Sequence, residues 1–548
     1  MSSEGSPTTT ARPIFASPWW VLAIPALFTL WRLVYLWLSP LELSEDEAMY
    51  WDWSRHLALG YYTKPGGIAW VIRLGTEAFG HTEFGVRVGT VLAGFVTALF
   101  AGLLARDMFK DHAAAAWSTL CALAVPAFAV LGVLITIDAP YLACWSVAAW
   151  AGHRALMRRD PGALAWLALA VGLGLQFKPT ILLILPGLAL AAWLHTRDRS
   201  HTPDENPPRR HVRGWGALAV AILLASLVPT LLYNATHGWV QAGHLLDHLG
   251  ISLPGAALQQ QPQATTGGGW SPLWTLEYLP IQLVSSGTVG VLAIIAFAKL
   301  WKRRVIADSG VDGATWRSVR YAACIAAPLL AFYLLVSFFT RVEGNWPVAA
   351  WITACPLAGW AIATGVRERD RGLRVGGVAT ALVAIAIPAI FVVLPWFHLK
   401  ERFGLRLPAH RLMGFRAIAD TAAEAMQRAE DETGRPAFAM GVTYGRTALL
   451  SFYLPGQPTT YCAARYRTGG SGRQYDLWTH TDLEHPDTHA TLAGRPGVLV
   501  QWPAAFWEHA FDTVTPVGTV QRKPDQFYPV WIGSDYRGWD EPVSFTEE

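Results

Sequence analysis

The sequence predicts a polytopic α-helical membrane protein that carries a small C-terminal α/β domain. Hydrophobic residues make up 52% of the chain and charged residues only 15%, a balance that excludes an ordinary soluble enzyme. Apolar runs of about 20 residues, the length a helix needs to cross a bilayer, recur from residue 18 to residue 397. The pattern then stops, and short alternating elements follow to residue 548.

By length and hydropathy the chain holds about eleven spans, near 18–39, 84–105, 113–134, 138–157, 162–177, 179–196, 214–234, 276–300, 319–340, 347–365 and 375–397. Residues 1–17 are polar and read as a cytoplasmic tail. No small-residue cleavage site follows the first span, so that span is expected to stay as an anchor. Four of the five cysteines (Cys121, Cys144, Cys324, Cys355) sit in apolar runs and Cys462 stands alone. Their spacing gives neither a disulfide framework nor a metal set.

Loop charges set the topology. Alternate loops contain "ARDMFKDH", "HRALMRRD", "RDRSHTPDENPPRRHVR", "KRRVIADSGVDGATWRSVR" and "RERDRGLR". The intervening loops after the first offer only Lys178 and Arg341, and the long loop 235–275 has no Lys or Arg. The positive-inside rule therefore places the N-terminus in the cytoplasm. The loop 40–83, the loop 235–275 and everything after residue 397 then face outward. In 235–275 the stretch "LPGAALQQQPQATTGGGWSP" is flexible by composition and suited to gating substrate entry. "NAT" at 234–236 matches a glycosylation sequon, a pattern short enough to arise by chance.

The outward side gathers the informative residues. "LSEDEAMYWDWSRHLALGYYTKPGG" holds Glu45, Asp46, Glu47 and Lys64; later loops add Asp138 in "ITIDAP", Lys178 in "QFKPT", and Arg341, Glu343 and Asn345 in "TRVEGNWP". Ionisable groups at span ends are costly unless paired or in use, so their convergence on one face points to a site. In helical form, "EDEAMYWDWSR" puts Asp46, Tyr50 and Trp53 on one stripe, with Glu47 beside them. Ser44 with Glu47 fits a capping box, which leaves Asp46 to point inward. "IAWVIRLGTEAFG" reads as a second amphipathic interfacial helix. A carboxylate here can deprotonate a hydroxyl, and a lysine can bind a phosphate.

The tail 398–548 reads as a helix at 412–430, an apolar run "PAFAMGV", a helical stretch before "LPGQPTTYC", and short strands in "GVLVQW" and "FYPVWIG". It shows no nucleophile–base motif, so it is expected to support the site or dock an acceptor.

In this order, "DEAMY", "YYTKPG", "EFGVRV", "TIDAPYLACW", "QFKPTILLILPGL", "YNATHGWV" and "RVEGNWPVAAW" resemble bacterial glycosyltransferase family 39. Its members are related to protein O-mannosyltransferases and lipid A aminoarabinose transferases. The resemblance covers about residues 18 to 360, with a weaker echo in the tail. It implies the C-type membrane glycosyltransferase fold and a sugar donor carried on polyprenyl phosphate. The sugar would pass to a lipid, glycan or protein acceptor on the outer face of the cytoplasmic membrane, with inversion. It further implies Asp46 as general base, with Glu47 completing the acidic pair and Asp138 as the second acidic position. Lys64, Lys178 and Arg341, with Arg87 behind them, would bind the donor phosphate. Tyr50, Tyr61, Tyr62, Glu343, Asn345 and His237 would line the substrate cavity. "TID" and "KPGG" depart from the family's usual residues but keep the charged groups. The basic residues make a metal dispensable, though a divalent cation could assist; no nucleic acid partner is expected. A transporter or flippase for a lipid-linked glycan is the rival reading, and it predicts ionisable groups and broken helices at mid-membrane.

Overall fold

The structure is a computed structural model and describes residues 15, 17–198, 209–248, 271–305, 312–393, 412–523 and 526–544. Residues 249–270 of the expected loop 235–275, with most of its Gly- and Gln-rich stretch, lie outside the described residues, and residues 240–248 of that loop are helical.

Helix α1 (Trp20–Leu38) leads into two short helices, α2 (Glu45–Arg55) and α3 (Gly67–Phe79), at one end of the molecule. The long helix α4 (Glu83–Phe109) follows. The span expected at 113–134 is divided into α5 (His112–Ala124) and α6 (Pro126–Leu131), because a proline at 126 cannot donate to the preceding turn. Next come α7 (Asp138–Met157), α8 (Ala163–Leu175), α9 (Ile184–Asp198), α10 (Arg209–Thr236), α11 (Val240–His248), α12 (Pro272–Val305), α13 (Gly313–Val336), α14 (Ala354–Arg367) and α15 (Arg371–Val393). Among the described residues eight helices are long and apolar enough to cross a membrane, α9 and α14 each counted with the 3-10 turn before it. The other expected spans correspond to α5 with α6, to α7 and to α8.

The centre of the bundle is built on small residues. A Cβ on Gly359 of α14 would lie 2.6 Å from the backbone of Ala114 and Ser118 of α5, so these two helices meet backbone to backbone. Helix α12 is broken at Gly287 (φ 57°, ψ −139°), a conformation closed to residues with a side chain.

The C-terminal domain is a five-stranded sheet in the order β2-β1-β3-β5-β4. Its strands are β1 (Phe438–Gly441), β2 (Tyr461–Cys462), β3 (Gly497–Val500), β4 (Phe511–Lys523) and β5 (Gln526–Tyr536). β1 runs parallel to β2 and β3, whereas β5 is antiparallel to β3 and β4. Helices α16 (Phe415–Thr433), α17 (Tyr444–Tyr453) and α18 (Pro486–Leu492) pack around it. The thirteen-residue β4 escapes sequence reading because it contains Pro516 and Gly518; both are tolerated at an edge, where the register shifts between them.

The domain docks on the end of the bundle that carries α2. Leu43 N donates to the Tyr453 hydroxyl at 2.7 Å, Arg55 donates to Ser451 Oγ at 2.7 Å, and Phe415 N donates to a Glu42 carboxylate oxygen at 2.5 Å. Gly445 allows α17 to sit directly on Glu45, which a Cβ would meet at 2.5 Å.

Glu47 and Arg87 form the joint beneath this contact. Both are buried, and Arg87 donates to both Glu47 carboxylate oxygens at 2.7 and 2.8 Å. Arg87 also donates to the carbonyls of Leu41 and Glu42, while Glu47 accepts from Ile135 N at 3.0 Å. One ion pair thus fixes the α1–α2 connection, α4 and the segment leading to Asp138. This corrects two expectations: Glu47 does not face a substrate, and Arg87 is not available to a phosphate.

Removing one member of a buried, fully hydrogen-bonded pair leaves a charge stranded. Arg87→Ala is therefore expected to cost about 3–5 kcal/mol, read as a lowered thermal midpoint in detergent. The double variant Glu47→Leu/Arg87→Leu should recover much of that loss, whereas Asp46→Asn should leave the midpoint unchanged.

Candidate active site

The capping box at the start of α2 forms as the sequence requires. Ser44 Oγ accepts from Glu47 N, and a Glu47 carboxylate oxygen accepts from Ser44 N. The third helical position is thereby committed to the protein interior and the second, Asp46, turns away from it. Asp46 is exposed, and among the described residues no donor lies within hydrogen-bonding distance of its carboxylate.

Lys64 arrives from the turn after α2. Its position is set by a frame of neutral contacts. The Tyr61 ring stacks on Trp53 at 4.4 Å, its hydroxyl donates to the carbonyls of Trp53 and His56, and Gly60 pairs with Pro65. Gln241 Nε2 donates to the carbonyls of Tyr61 and Lys64, and Asn234 Nδ2 donates to Gln241 Oε1. The sequon asparagine is thus buried and occupied in holding this turn.

Asp138 sits in the first turn of α7, where the helix dipole favours a carboxylate. Lys178 Nζ donates to Asp138 Oδ1 at 2.9 Å and Asn345 Nδ2 donates to Oδ2 at 2.8 Å. Lys178 also lies over the Tyr141 ring, 5.6 Å from its centroid. Asp138, Lys178 and Asn345 therefore form a closed triad, and its acid is saturated by protein groups.

These elements converge. Burial lowers the Lys64 amine to about 8; the Lys178 charge adds to the effect, while Asp138 and Asp46 oppose it. Desolvation by the surrounding protein raises the Asp46 carboxyl even though solvent reaches it, against the nearby Arg473 and Lys64 charges. The Tyr50 hydroxyl is pushed well up by burial, with Asp46, Asp138 and Tyr444 adding to the rise. Asp46, Tyr50, Lys64, Asp138, Lys178 and Asn345 therefore share one neighbourhood at the end of the bundle.

Four expected residues are placed elsewhere. Arg341 is exposed and pairs with Glu277 at 3.1 Å, and Glu343 is exposed nearby. His237 is exposed and stacks on Tyr233 at 4.1 Å. Tyr61 is wholly buried as a spacer for the turn. Tyr62 lies at the margin, where its backbone N–H donates to Gln474 at 2.7 Å.

The same contact brings in a residue that local sequence reasoning passed over. The turn 472–476 of the C-terminal domain reaches back to α2. Tyr475 donates to Asp52 Oδ2 at 2.6 Å, and Asp476 accepts from Gly472 N at 2.6 Å. Between them Arg473 projects toward Asp46, its guanidinium 4.1 Å from the centroid of the Tyr444 ring. The tail thus adds a charge to the cluster beyond its expected supporting role. The signal lay in "GRQYDLW", but nothing local to that stretch points across more than 400 residues to α2. Among the described residues no three His, Cys, Asp or Glu side chains converge as a metal-ligand set.

Residues 63–233, which carry Lys64, Asp138 and Lys178, match the family described as dolichyl-phosphate-mannose-protein mannosyltransferase. The chain is 28% identical to the lipid A galacturonosyltransferase RgtD of Rhizobium johnstonii over 365 residues, 66% of this chain and 69% of the relative. The chain is a membrane glycosyltransferase that resembles family 39. It is also 27% identical over 403 residues to the undecaprenyl phosphate-alpha-4-amino-4-deoxy-L-arabinose arabinosyl transferase of Edwardsiella ictaluri, a match spanning 69% of this chain and 66% of that relative. Among solved structures it shares the fold of ArnT from Cupriavidus metallidurans at a TM-score of 0.61 and 16% identity, over 94% of this chain and 97% of the other. The form of that protein bound to undecaprenyl phosphate gives the same TM-score. The C-type fold and the transferase class of this glycosyltransferase therefore stand, in place of a transporter.

Labelling by a water-soluble amine reagent should show a Lys64 midpoint near pH 8, well below that of exposed lysines. Asp46→Asn removes a charge that supports the ammonium, so it should move that midpoint lower still.

Proposed function

We propose that this cluster transfers a sugar from a polyprenyl phosphate to a lipid A-type glycolipid at the outer face of the cytoplasmic membrane. The observation that carries the reading is the pairing state of the charges. Glu47–Arg87 and Asp138–Lys178 are closed within the protein, whereas Asp46 and Lys64 face one another's surroundings without an ion-pair partner among the described residues. A base and a cation left open at the end of a helical bundle suit a donor whose lipid lies among helices and whose sugar stands above them. The names of the relatives support the same donor and acceptor classes, and loop charges support the outward orientation of the site.

In this mechanism Asp46 accepts the proton of the acceptor hydroxyl as the new bond forms at the anomeric carbon. The bond from that carbon to the phosphate oxygen breaks on the opposite face, which inverts configuration. Negative charge grows on the departing phosphate, and Lys64 stabilises it, with Lys178 behind. Desolvation by the surrounding protein raises the Asp46 carboxyl and so makes it a better proton acceptor. Asn345 and Lys178 hold Asp138 in place to orient substrate.

Asp46→Asn should lower transfer by about 10²–10⁴-fold at normal membrane expression, followed by mass spectrometry of lipid A in vesicles. The pH profile should be bell-shaped. Activity is lost on the acid side as Asp46 protonates, and on the alkaline side as the Lys64 ammonium is lost near pH 8. Lys64→Arg should extend the alkaline limb, and an unchanged limb would remove Lys64 from the phosphate.

A further inference from the structure

We propose that Arg32 and the cavity beside it form a binding site for a single monatomic anion of chloride size, inside the helical bundle and apart from the transfer site. Arg32 lies less than two turns before Leu38, the last residue of α1. A long basic side chain near the end of a span ordinarily reaches for the membrane surface. Arg32 instead is 3% exposed, and its head group lies between two glycines: a Cβ on Gly132 would meet Nη1 at 2.5 Å, and one on Gly94 would meet it at 3.1 Å. The bare backbone at these two positions makes room for the guanidinium and for what lies against it.

What the guanidinium lacks points to the ligand. The other buried Arg, Asp and Glu side chains among the described residues each have an opposite charge in the chain: Glu47 with Arg87, Asp52 with Arg55, Asp107 with Arg158 and Asp138 with Lys178. Arg32 has neither a hydrogen-bond nor an ion-pair partner among the described residues, and its Nε and Nη2 are buried and unsatisfied. An arginine does not escape this by losing a proton, and a buried charge without compensation is strongly unfavourable. The cavity has space for about one water-sized particle. Besides Arg32 and the two glycines, its wall consists of Thr97, whose hydroxyl donates to the carbonyl of Ala93, and of Ala122, Leu123, Phe128, Leu131, Ala139 and Leu142. None of these is an acid, so the wall supplies no counter-charge. A water would accept a hydrogen bond there and leave the charge as it is, and a phosphate or a carboxylate-bearing molecule is too large. A chloride ion both accepts from the guanidinium and cancels its charge.

The test uses the full-length protein in detergent, with chloride nuclear magnetic resonance and thermal unfolding as readouts. Chloride exchanging with the site should broaden the bulk chloride resonance, and added bromide should displace it and narrow the line. At about a hundredfold excess of chloride over its dissociation constant, the thermal midpoint should stand about 2 °C above that in gluconate of equal ionic strength. Arg32→Met, of similar length and without charge, should lose both responses. Gly132→Ala keeps the charge and, at φ −82°, strains no backbone, but its methyl enters the space beside Nη1; it should bind chloride about tenfold more weakly. A wild-type line that chloride exchange does not broaden overturns the proposal, because the cavity then holds water alone. Broadening that survives in Arg32→Met belongs to another site and overturns it as well. If Arg32→Met fails to fold, Gly132→Ala decides: unchanged chloride affinity in that variant overturns the assignment of the ion to this cavity.

Discussion

The buried pair between Glu47 and Arg87 is the contact on which the site depends. Arg87 comes from the second helix of the bundle and Glu47 from the first turn of α2. Their remaining hydrogen bonds reach the carbonyls of Leu41 and Glu42 and the N–H of Ile135. The pair thus joins the segment before Asp46, the segment before Asp138 and the helix between them. With both charges removed from water, the arrangement is tolerable only if every donor and acceptor is satisfied, and that demand fixes the geometry. Asp46 is adjacent in sequence to this joint and inherits its direction from it.

Around that joint the ionisable groups divide by whether the protein satisfies them. Asp138 has its two oxygens occupied by Lys178 and Asn345. Asp46 and Lys64 have no ion-pair partner among the described residues. The frame that holds Lys64 is made of neutral contacts: a stacked Trp53–Tyr61 pair, and Gln241 bonded to the turn's carbonyls. Positioning by such groups leaves the amine's charge unspent, and burial then weakens its hold on a proton.

The C-terminal domain is part of the same construction. Its helix α17 rests on Glu45 through Gly445, and its turn 472–476 is bonded to Tyr62 and Asp52. A domain that reads as an appendage along the chain therefore forms one wall of the site. The hydrogen bonds that bind it to α2 and its flanking segments are buried or part-buried, and they require a specific orientation and not merely proximity.

The sequence by itself determined the membrane class, the ends of most helices and the capping box. These are local or periodic properties, written in runs of apolar residues and in the neighbours of each helix end. It also brought Asp46, Lys64, Asp138, Lys178 and Asn345 forward as one candidate group. It could not separate them from Glu47, Arg87, Arg341 and His237, because a charge at a helix end looks the same whether it is paired inside, pointed at solvent or left open. Nor could it place Arg473, whose neighbours in space lie more than 400 residues away in the chain. Only the tertiary structure decides which charges find partners, since pairing depends on distances between segments that sequence order does not contain.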